Sequence, residues 1–231
     1  MAADFGPKAN LIQAVVENVI CVEKHIKICA FCTLNSYSDF VTIFLGKASS
    51  YTIREAEKLA KQVLEMGGYE DIVGPTPIVK IAEQFGFTTF EERTLPENVS
   101  GNIYVGGTTW DIYNTDKVIV VGEDEEFFHQ RFIIAHELAH YLMDYLGSDI
   151  SQKQSILFSR DYPKSDHDSE VEIRADRFAA ELLMPAKEFA RQYIKAMEVS
   201  DYNKRYAVAY LSNFFRTKRS SIERRIEEVI L

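Results

Sequence analysis

The fold and the chemistry of this chain are decided by residues 131–145, which read RFIIAHELAHYLMDY. His136 and His140 stand four positions apart, so on an α-helix their side chains point in directions only about 40° apart. Neutral imidazoles are good zinc ligands, and a helix holds such a pair rigidly. Glu137 lies between them and could take a proton from a metal-bound water, whose pKa zinc lowers to roughly 7.

The HExxH pattern alone has three fixed positions and could also be two surface histidines and a carboxylate. Two features of the sequence favour a metal site. The motif lies in an uninterrupted apolar run, which predicts a buried helix. A second helix is predicted over residues 169–184, SEVEIRADRFAAELLM, and it carries Glu172 as a candidate third ligand. We therefore predict a catalytic zinc with three protein ligands and one open position.

Two aspartates are candidates for supporting roles at this site. Asp176 follows Glu172 by one helical turn and could orient a histidine ligand through a hydrogen bond. Asp144 follows His140 by four residues and could do the same, or compete as the third ligand. Glu172 is the favoured third ligand, because Asp144 is turned a further ~40° around its helix.

The composition is that of an ordinary globular protein. The chain has 231 residues and a net charge of −9, which argues against nucleic-acid binding by the chain as a whole. No window of about 20 residues is apolar enough for a membrane span. The first residues lack a basic stretch followed by an apolar core, so we expect no secretory signal and a cytoplasmic location.

Residues 1–50 receive no functional interpretation beyond their cysteines, Cys21, Cys29 and Cys32. An odd number of clustered cysteines is not a disulfide framework. Cys29 and Cys32 form a CxxC pair that could be a small metal or redox site. Buried thiols are the favoured interpretation, because no second CxxC completes a zinc ligand set.

A helix and a small sheet are predicted between residue 52 and the motif helix. Thr52 and Glu55 have capping-box spacing and predict a helix that ends at residues 67–68. Thr76 is expected to cap a second, short helix. Short β-branched or aromatic segments separated by turn residues predict strands at 87–91, 101–105, 109–113 and 117–121. The expected fold is α+β, with a small antiparallel sheet whose edge could pair with an extended peptide.

The loop of residues 147–168 joins the two metal-bearing helices and would lie over the cleft. Tyr162 and His167 are its candidates for a hydrogen bond to a developing oxyanion, although an ordinary loop role is the favoured interpretation of each.

The last helices form a predicted hairpin. From Asn203 on, seven basic and three acidic residues give a charge of +4. Such a pair could contact DNA, but packing on the core is the favoured interpretation. The predicted domains are an N-terminal segment (1–50), a metallopeptidase domain (51–198) and a C-terminal helical hairpin (199–231).

With these residues in hand, the sequence resembles the ImmA/IrrE family of metallopeptidases over about residues 52–215. The resemblance is carried by IVKIAEQFGF at 78–87, RFIIAHELAH at 131–140 and EIRADRFAAELLMP at 172–185. It implies a zincin-like core of the gluzincin type. It also implies zinc on His136, His140 and Glu172, with Glu137 as general base.

Known members of that family are cytoplasmic proteases that cut a helix–turn–helix repressor of a mobile element, a prophage or a DNA-damage response. The resemblance therefore implies a zinc endopeptidase with a repressor as its protein substrate. Two positions depart from the family's pattern: Arg174, where an acidic residue is frequent, and Asp144, where a third histidine is frequent. Both could alter substrate choice. The alternative hypothesis is a metal-bound sensor or DNA-binding regulator that does not cleave.

Overall fold

The structure is a computed structural model that describes residues 51–93, 95, 99–106, 109–145, 156–158 and 166–230. Residues 1–50, with the CxxC pair, lie outside this described part, and the predicted domain boundaries stay predictions. The described helices are α1 Ile53–Gly67, α2 Ile78–Gln84, α3 Thr109–Tyr113, α4 Phe127–His140, α5 Asp166–Leu183, α6 Ala186–Val199, α7 Lys204–Phe215 and α8 Arg219–Val229. The strands are β1 Thr88–Glu92, β2 Gly101–Val105, β3 Lys117–Gly122 and β4 Ile156–Phe158.

The four strands form one sheet in the order β1-β3-β2-β4. β2 pairs antiparallel with both β3 and β4, whereas β1 runs parallel to β3, with Thr88 opposite Val118. The α+β class predicted from the sequence is confirmed. The sheet is mixed rather than wholly antiparallel, because β3 inserts between the two strands that precede it in the chain. Its edges within the described residues are β1 and β4.

The predicted strand at residues 109–113 is wrong, because this segment is the short helix α3. The chain turns at Gly106, which has a φ of +70°. The Thr109 hydroxyl then donates to the Gly106 carbonyl at 2.5 Å. Tyr113 packs on the sheet beside Phe90 and Tyr104, with ring centroids 5.2 and 6.3 Å away. Packing on the sheet has overridden the strand propensity of an aromatic, β-branched segment.

The prediction for α1 is confirmed, and the capping prediction for α2 is wrong. The Thr52 hydroxyl accepts from the Glu55 backbone N–H at 3.3 Å, and the Glu55 carboxylate accepts from the Thr52 N–H at 2.8 Å. At the other end, α1 is capped by Gly68, which has a φ of +72°. Thr76 instead donates its hydroxyl hydrogen to the Leu182 carbonyl at 2.8 Å. That bond ties the loop before α2 to the end of α5.

The motif helix α4 is buried on nearly every side, and all residues from 133 to 139 are buried. It packs against the sheet, α2 and α5. Its Ile133 side chain lies against Gly101 of β2, where an added Cβ would lie 2.2 Å from the Ile133 Cγ2. The absence of a side chain at Gly101 therefore sets how near the motif helix lies to the sheet.

The hydrophobic core is continuous from α1 to α8. The side chains that join it from the C-terminal hairpin are Val208, Leu211, Phe215, Ile222 and Ile226. The hairpin therefore packs on the rest of the described chain rather than standing apart from it. None of the helices in the described ranges has the length and apolar character needed to cross a membrane.

Candidate metal centre

Three side chains from two helices meet at one point. His136 and His140 project from successive turns of α4, and Glu172 reaches them from α5, which packs across α4. The Nε2 atoms of the two imidazoles lie 3.0 Å apart. The Glu172 carboxylate oxygens lie 3.2 Å from the His136 Nε2 and 3.5 Å from the His140 Nε2. Each residue therefore offers one ligand atom to a common centre.

These separations fit a tetrahedral metal. Zinc bonds to imidazole nitrogen and carboxylate oxygen are about 2.1 Å long, so the ligand atoms of a tetrahedral site lie about 3.4 Å from one another. The three observed distances, 3.0, 3.2 and 3.5 Å, are close to that spacing. The donor set of two imidazoles and one carboxylate is the type found in catalytic zinc sites, in which one tetrahedral position stays open.

The other ring nitrogen of each histidine is held by an aspartate. The His136 Nδ1 lies 3.0 Å from the Asp176 Oδ1, and the His140 Nδ1 lies 3.1 Å from the Asp144 Oδ2. A carboxylate accepts a hydrogen bond from Nδ1–H, which leaves the Nε2 lone pair directed at the common centre. Asp144 thus contacts the far side of its imidazole and does not join the three-ligand group. It lies in the π-helical turn Tyr141–Tyr145 that follows α4.

Each of these two aspartates also lies near an arginine. The Arg224 Nη1 lies 3.2 Å from the Asp176 Oδ2, and the Arg174 Nη2 lies 3.7 Å from the Asp144 Oδ1. The two positions that depart from the family pattern, Arg174 and Asp144, thus face each other. Sequence reasoning missed Arg224, because 48 residues separate it from Asp176 and no local spacing relates them.

The electrostatics of the site favour a cation. Burial by itself would lower the pKa of both histidines, since it disfavours their charged forms. The neighbouring carboxylates outweigh burial, so the pKa of His136 is raised and that of His140 reaches about 10. Burial would raise the pKa of Glu172, but the two imidazoles hold it well below its usual range. The carboxylates that raise the pKa of the two histidines favour positive charge at the imidazoles, and they would favour a bound metal ion for the same reason.

Glu137 lies in the same pocket. Its side chain is buried, and its charge contributes to the raised pKa of both histidines. The carboxylate therefore acts on the same region as the three candidate ligands, as a general base for a metal-bound water would have to.

Glu172 is the most exposed of the three candidate ligands. The Glu172 side chain is 39% exposed, whereas those of His140 and His136 are 12% and 5% exposed. The Phe132 ring lies beside the His136 ring, with the ring centroids 6.5 Å apart.

The two candidate oxyanion contacts from the loop, Tyr162 and His167, stay predictions. Tyr162 lies outside the described residues. The backbone of His167 belongs to α5, and its side chain is outside the described part of the chain.

The sequence is similar to a known protein family over more than half of its length. The family model Peptidase_M78, described as an IrrE N-terminal-like domain, matches residues 82–227. No curated protein matches the sequence. One similar solved structure is a Mycobacterium tuberculosis transcriptional regulator, with 17% sequence identity and a TM-score of 0.49. The similarity covers 83% of this chain and 51% of that one, so this chain spans about half of its length.

Proposed function

We propose that this chain, which belongs to the Peptidase_M78 family of IrrE N-terminal-like domains, is a zinc-dependent endopeptidase. The observation that carries the proposal is the convergence of His136, His140 and Glu172 within 4.8 Å of one another, beside the buried Glu137. Zinc is the metal we propose, because two imidazoles and one carboxylate are a zinc peptidase ligand set.

In the proposed mechanism the metal and Glu137 have different roles. Zinc, when bound, supplies a Lewis acid that polarises the peptide carbonyl and makes water acidic. Glu137 takes a proton from the water whose oxygen adds to the carbonyl carbon. As the C–N bond breaks, Glu137 passes that proton to the leaving amine. Neutral imidazoles and one carboxylate leave a net charge of +1 on the site, so the metal stays a strong Lewis acid.

The substrate that we propose is a helix–turn–helix transcriptional repressor, cut at a specific site in the cytoplasm to relieve repression of a mobile element or stress response. The support is the resemblance of residues 78–87, 131–140 and 172–185 to the ImmA/IrrE family. The partial exposure of the Glu172 side chain, 39%, is compatible with a protein segment that contacts the site there.

The test is co-expression with a helix–turn–helix repressor from the same genome, beginning with any that is encoded beside this chain, followed by intact mass measurement of the repressor. We expect two fragments whose masses sum to that of the repressor plus one water. The control is Glu137→Gln, which should keep zinc in metal analysis and leave the repressor whole. Equal cleavage by this variant would refute the role of Glu137, and an intact repressor with the wild-type protein would argue against this substrate.

A DNA-binding regulator without peptidase activity is the second candidate. It is favoured by the exposed basic side chains of the hairpin, which include Lys204, Arg205, Arg216 and Arg219. Phosphate contacts make binding strongly dependent on salt. Salt-dependent binding of duplex DNA by the full chain would support this candidate, and the absence of binding at low salt would remove it.

A further inference from the structure

The C-terminal helix α8 is joined to α5 by charged contacts at several points. Deep in the structure, the Arg225 guanidinium pairs with Glu181, and both side chains are almost completely buried. Near the surface, the Arg177 Nη1 lies 2.8 Å from the Glu228 Oε2. These contacts fix α8 in place along the helix that carries Glu172. They also set the position from which Arg224 contacts Asp176, which in turn contacts His136.

Asp176 divides its two oxygens between the metal centre and α8. Its Oδ1 lies 3.0 Å from the His136 Nδ1, and its Oδ2 lies 3.2 Å from the Arg224 Nη1. Contacts on both oxygens restrain both side-chain torsions of an aspartate, whereas one contact leaves the carboxylate free to rotate about it. The side chain is 34% exposed, so packing alone does not hold it.

We propose that Arg224 is a positioning residue of the metal centre: it holds Asp176 in the orientation that directs His136 at the metal. The inference rests on the part of the proposed function that assigns a metal to His136, His140 and Glu172. The C-terminal hairpin is then a component of the peptidase site and not an appendage to it.

The same arrangement at the other histidine supports this role. Asp144 also has one oxygen on an imidazole and the other facing an arginine, Arg174. Arg174 is itself anchored, since its Nη1 donates to the Tyr51 carbonyl at 2.8 Å. Each metal histidine is thus backed by an aspartate whose second oxygen faces a guanidinium. Partners beyond the ligands typically change metal affinity by about 10- to 100-fold.

The direction in which zinc affinity changes when Arg224 is replaced distinguishes a positioning role from a purely electrostatic one. Arg224 is positive, so its removal would by charge alone favour a bound cation and tighten zinc binding. Loss of positioning has the opposite sign, because a mobile Asp176 leaves His136 less well oriented. Weaker zinc binding by a variant without the guanidinium therefore indicates positioning.

The experiment measures zinc affinity by competition with a chelator, using the full chain and four variants. Arg224→Met removes the guanidinium and keeps the aliphatic stem. Arg219→Met is the matched control, an exposed arginine on the same helix. Asp176→Ala and the double variant Asp176→Ala/Arg224→Met complete a double-mutant cycle. The visible spectrum of the cobalt-loaded proteins reports ligand geometry, and thermal unfolding without metal reports whether each variant folds.

We expect Arg224→Met to weaken zinc binding up to about tenfold and to alter the cobalt spectrum, with unfolding of the metal-free protein unchanged. Arg219→Met should match the wild type, and Arg224→Met should cause no further loss of affinity once Asp176 is alanine. Unchanged or tighter binding by Arg224→Met, or an equal loss in the Asp176→Ala background, would overturn the inference. If the wild type binds zinc but cleaves no repressor, the proposed substrate fails while this inference stands; if it binds no zinc, both fail.

Discussion

Lys117 places its ammonium group among aromatic rings and contacts Tyr141, the residue that follows His140 in the chain. Its Nζ donates to the Phe85 carbonyl at 3.1 Å and to the Tyr141 hydroxyl at 2.7 Å. It also lies over the Phe87 and Tyr141 rings, 5.6 and 4.7 Å from their centroids. Burial lowers the pKa of Lys117 to about 8, because the charged form is poorly hydrated there.

This pKa predicts how stability depends on pH. The folded-state pKa of Lys117 lies below its unfolded value, so between about pH 8 and 10.5 the unfolded state binds more protons and stability rises with pH. The free energy of unfolding of the wild type should therefore gain roughly 2 to 3 kcal/mol relative to Lys117→Met over that range. Urea unfolding at several pH values checks this, with Lys80→Met at an exposed position of α2 as control. A difference that is independent of pH would contradict it.

At the scale of elements, the contact between α4 and the sheet depends on Gly101. An alanine there would bring its Cβ to 2.2 Å from the Ile133 Cγ2 and 2.9 Å from the Val120 carbonyl oxygen. Both elements would have to separate, which displaces the helix that carries both histidines.

We therefore expect Gly101→Ala to lower the free energy of unfolding by about 1–3 kcal/mol, the usual cost of overpacking. Denaturant unfolding measures this cost. Gly101→Ala should lower the free energy of unfolding less in an Ile133→Ala background than in the wild type, because the Ile133 methyl group that the new Cβ would meet is absent there. Equal costs in the two backgrounds would show that the helix and sheet do not press on each other at this point.

A second element-scale contact is the buried ion pair between α5 and α8. Arg225 donates to Glu181 and to the Met184 carbonyl, so its guanidinium holds the C-terminal helix against the end of α5. Breaking such a pair leaves an uncompensated buried charge, whereas replacing both partners by apolar residues is often nearly neutral.

Arg225→Met should therefore lower the free energy of unfolding by about 3–5 kcal/mol, and Arg225→Met with Glu181→Met should recover most of that loss. The measurement is denaturant unfolding of the two variants beside the wild type. If the double variant is no more stable than the single one, the packing of the arginine stem, and not the charge left on Glu181, causes the loss.

At the scale of the whole molecule, the candidate ligands join helices that are distant in sequence, so metal binding should stabilise the entire fold. A ligand at 1,000 times its dissociation constant stabilises the folded state by about 4 kcal/mol, which for this size corresponds to a rise of about 8–16 °C in Tm. Thermal unfolding with zinc and with a chelator measures the shift. His140→Ala should show almost none, and a full zinc-dependent shift in that variant would exclude His140 as a ligand.

Sequence reasoning succeeded where structure is set within one or two turns of the chain. The four-residue spacing of His136 and His140 places both on one face of any α-helix, and the Thr52–Glu55 capping box is equally local. The candidate third ligand Glu172 could be named because it too lies in a recognisable helix. The membership of the Peptidase_M78 family agrees with the resemblance that residues 131–140 and 172–185 carry.

Tertiary structure alone decided how these elements meet. Residues 109–113 became a helix through their packing on the sheet, and Thr76 gave up its expected capping role to bond with the Leu182 carbonyl. The contact from Arg224 to Asp176 spans 48 residues. The side chains that could hold a metal can be read from the sequence, because the spacing of residues along a helix is local. The groups that surround and orient those side chains follow from the packing of α5 and α8, because contacts between helices depend on how the helices cross.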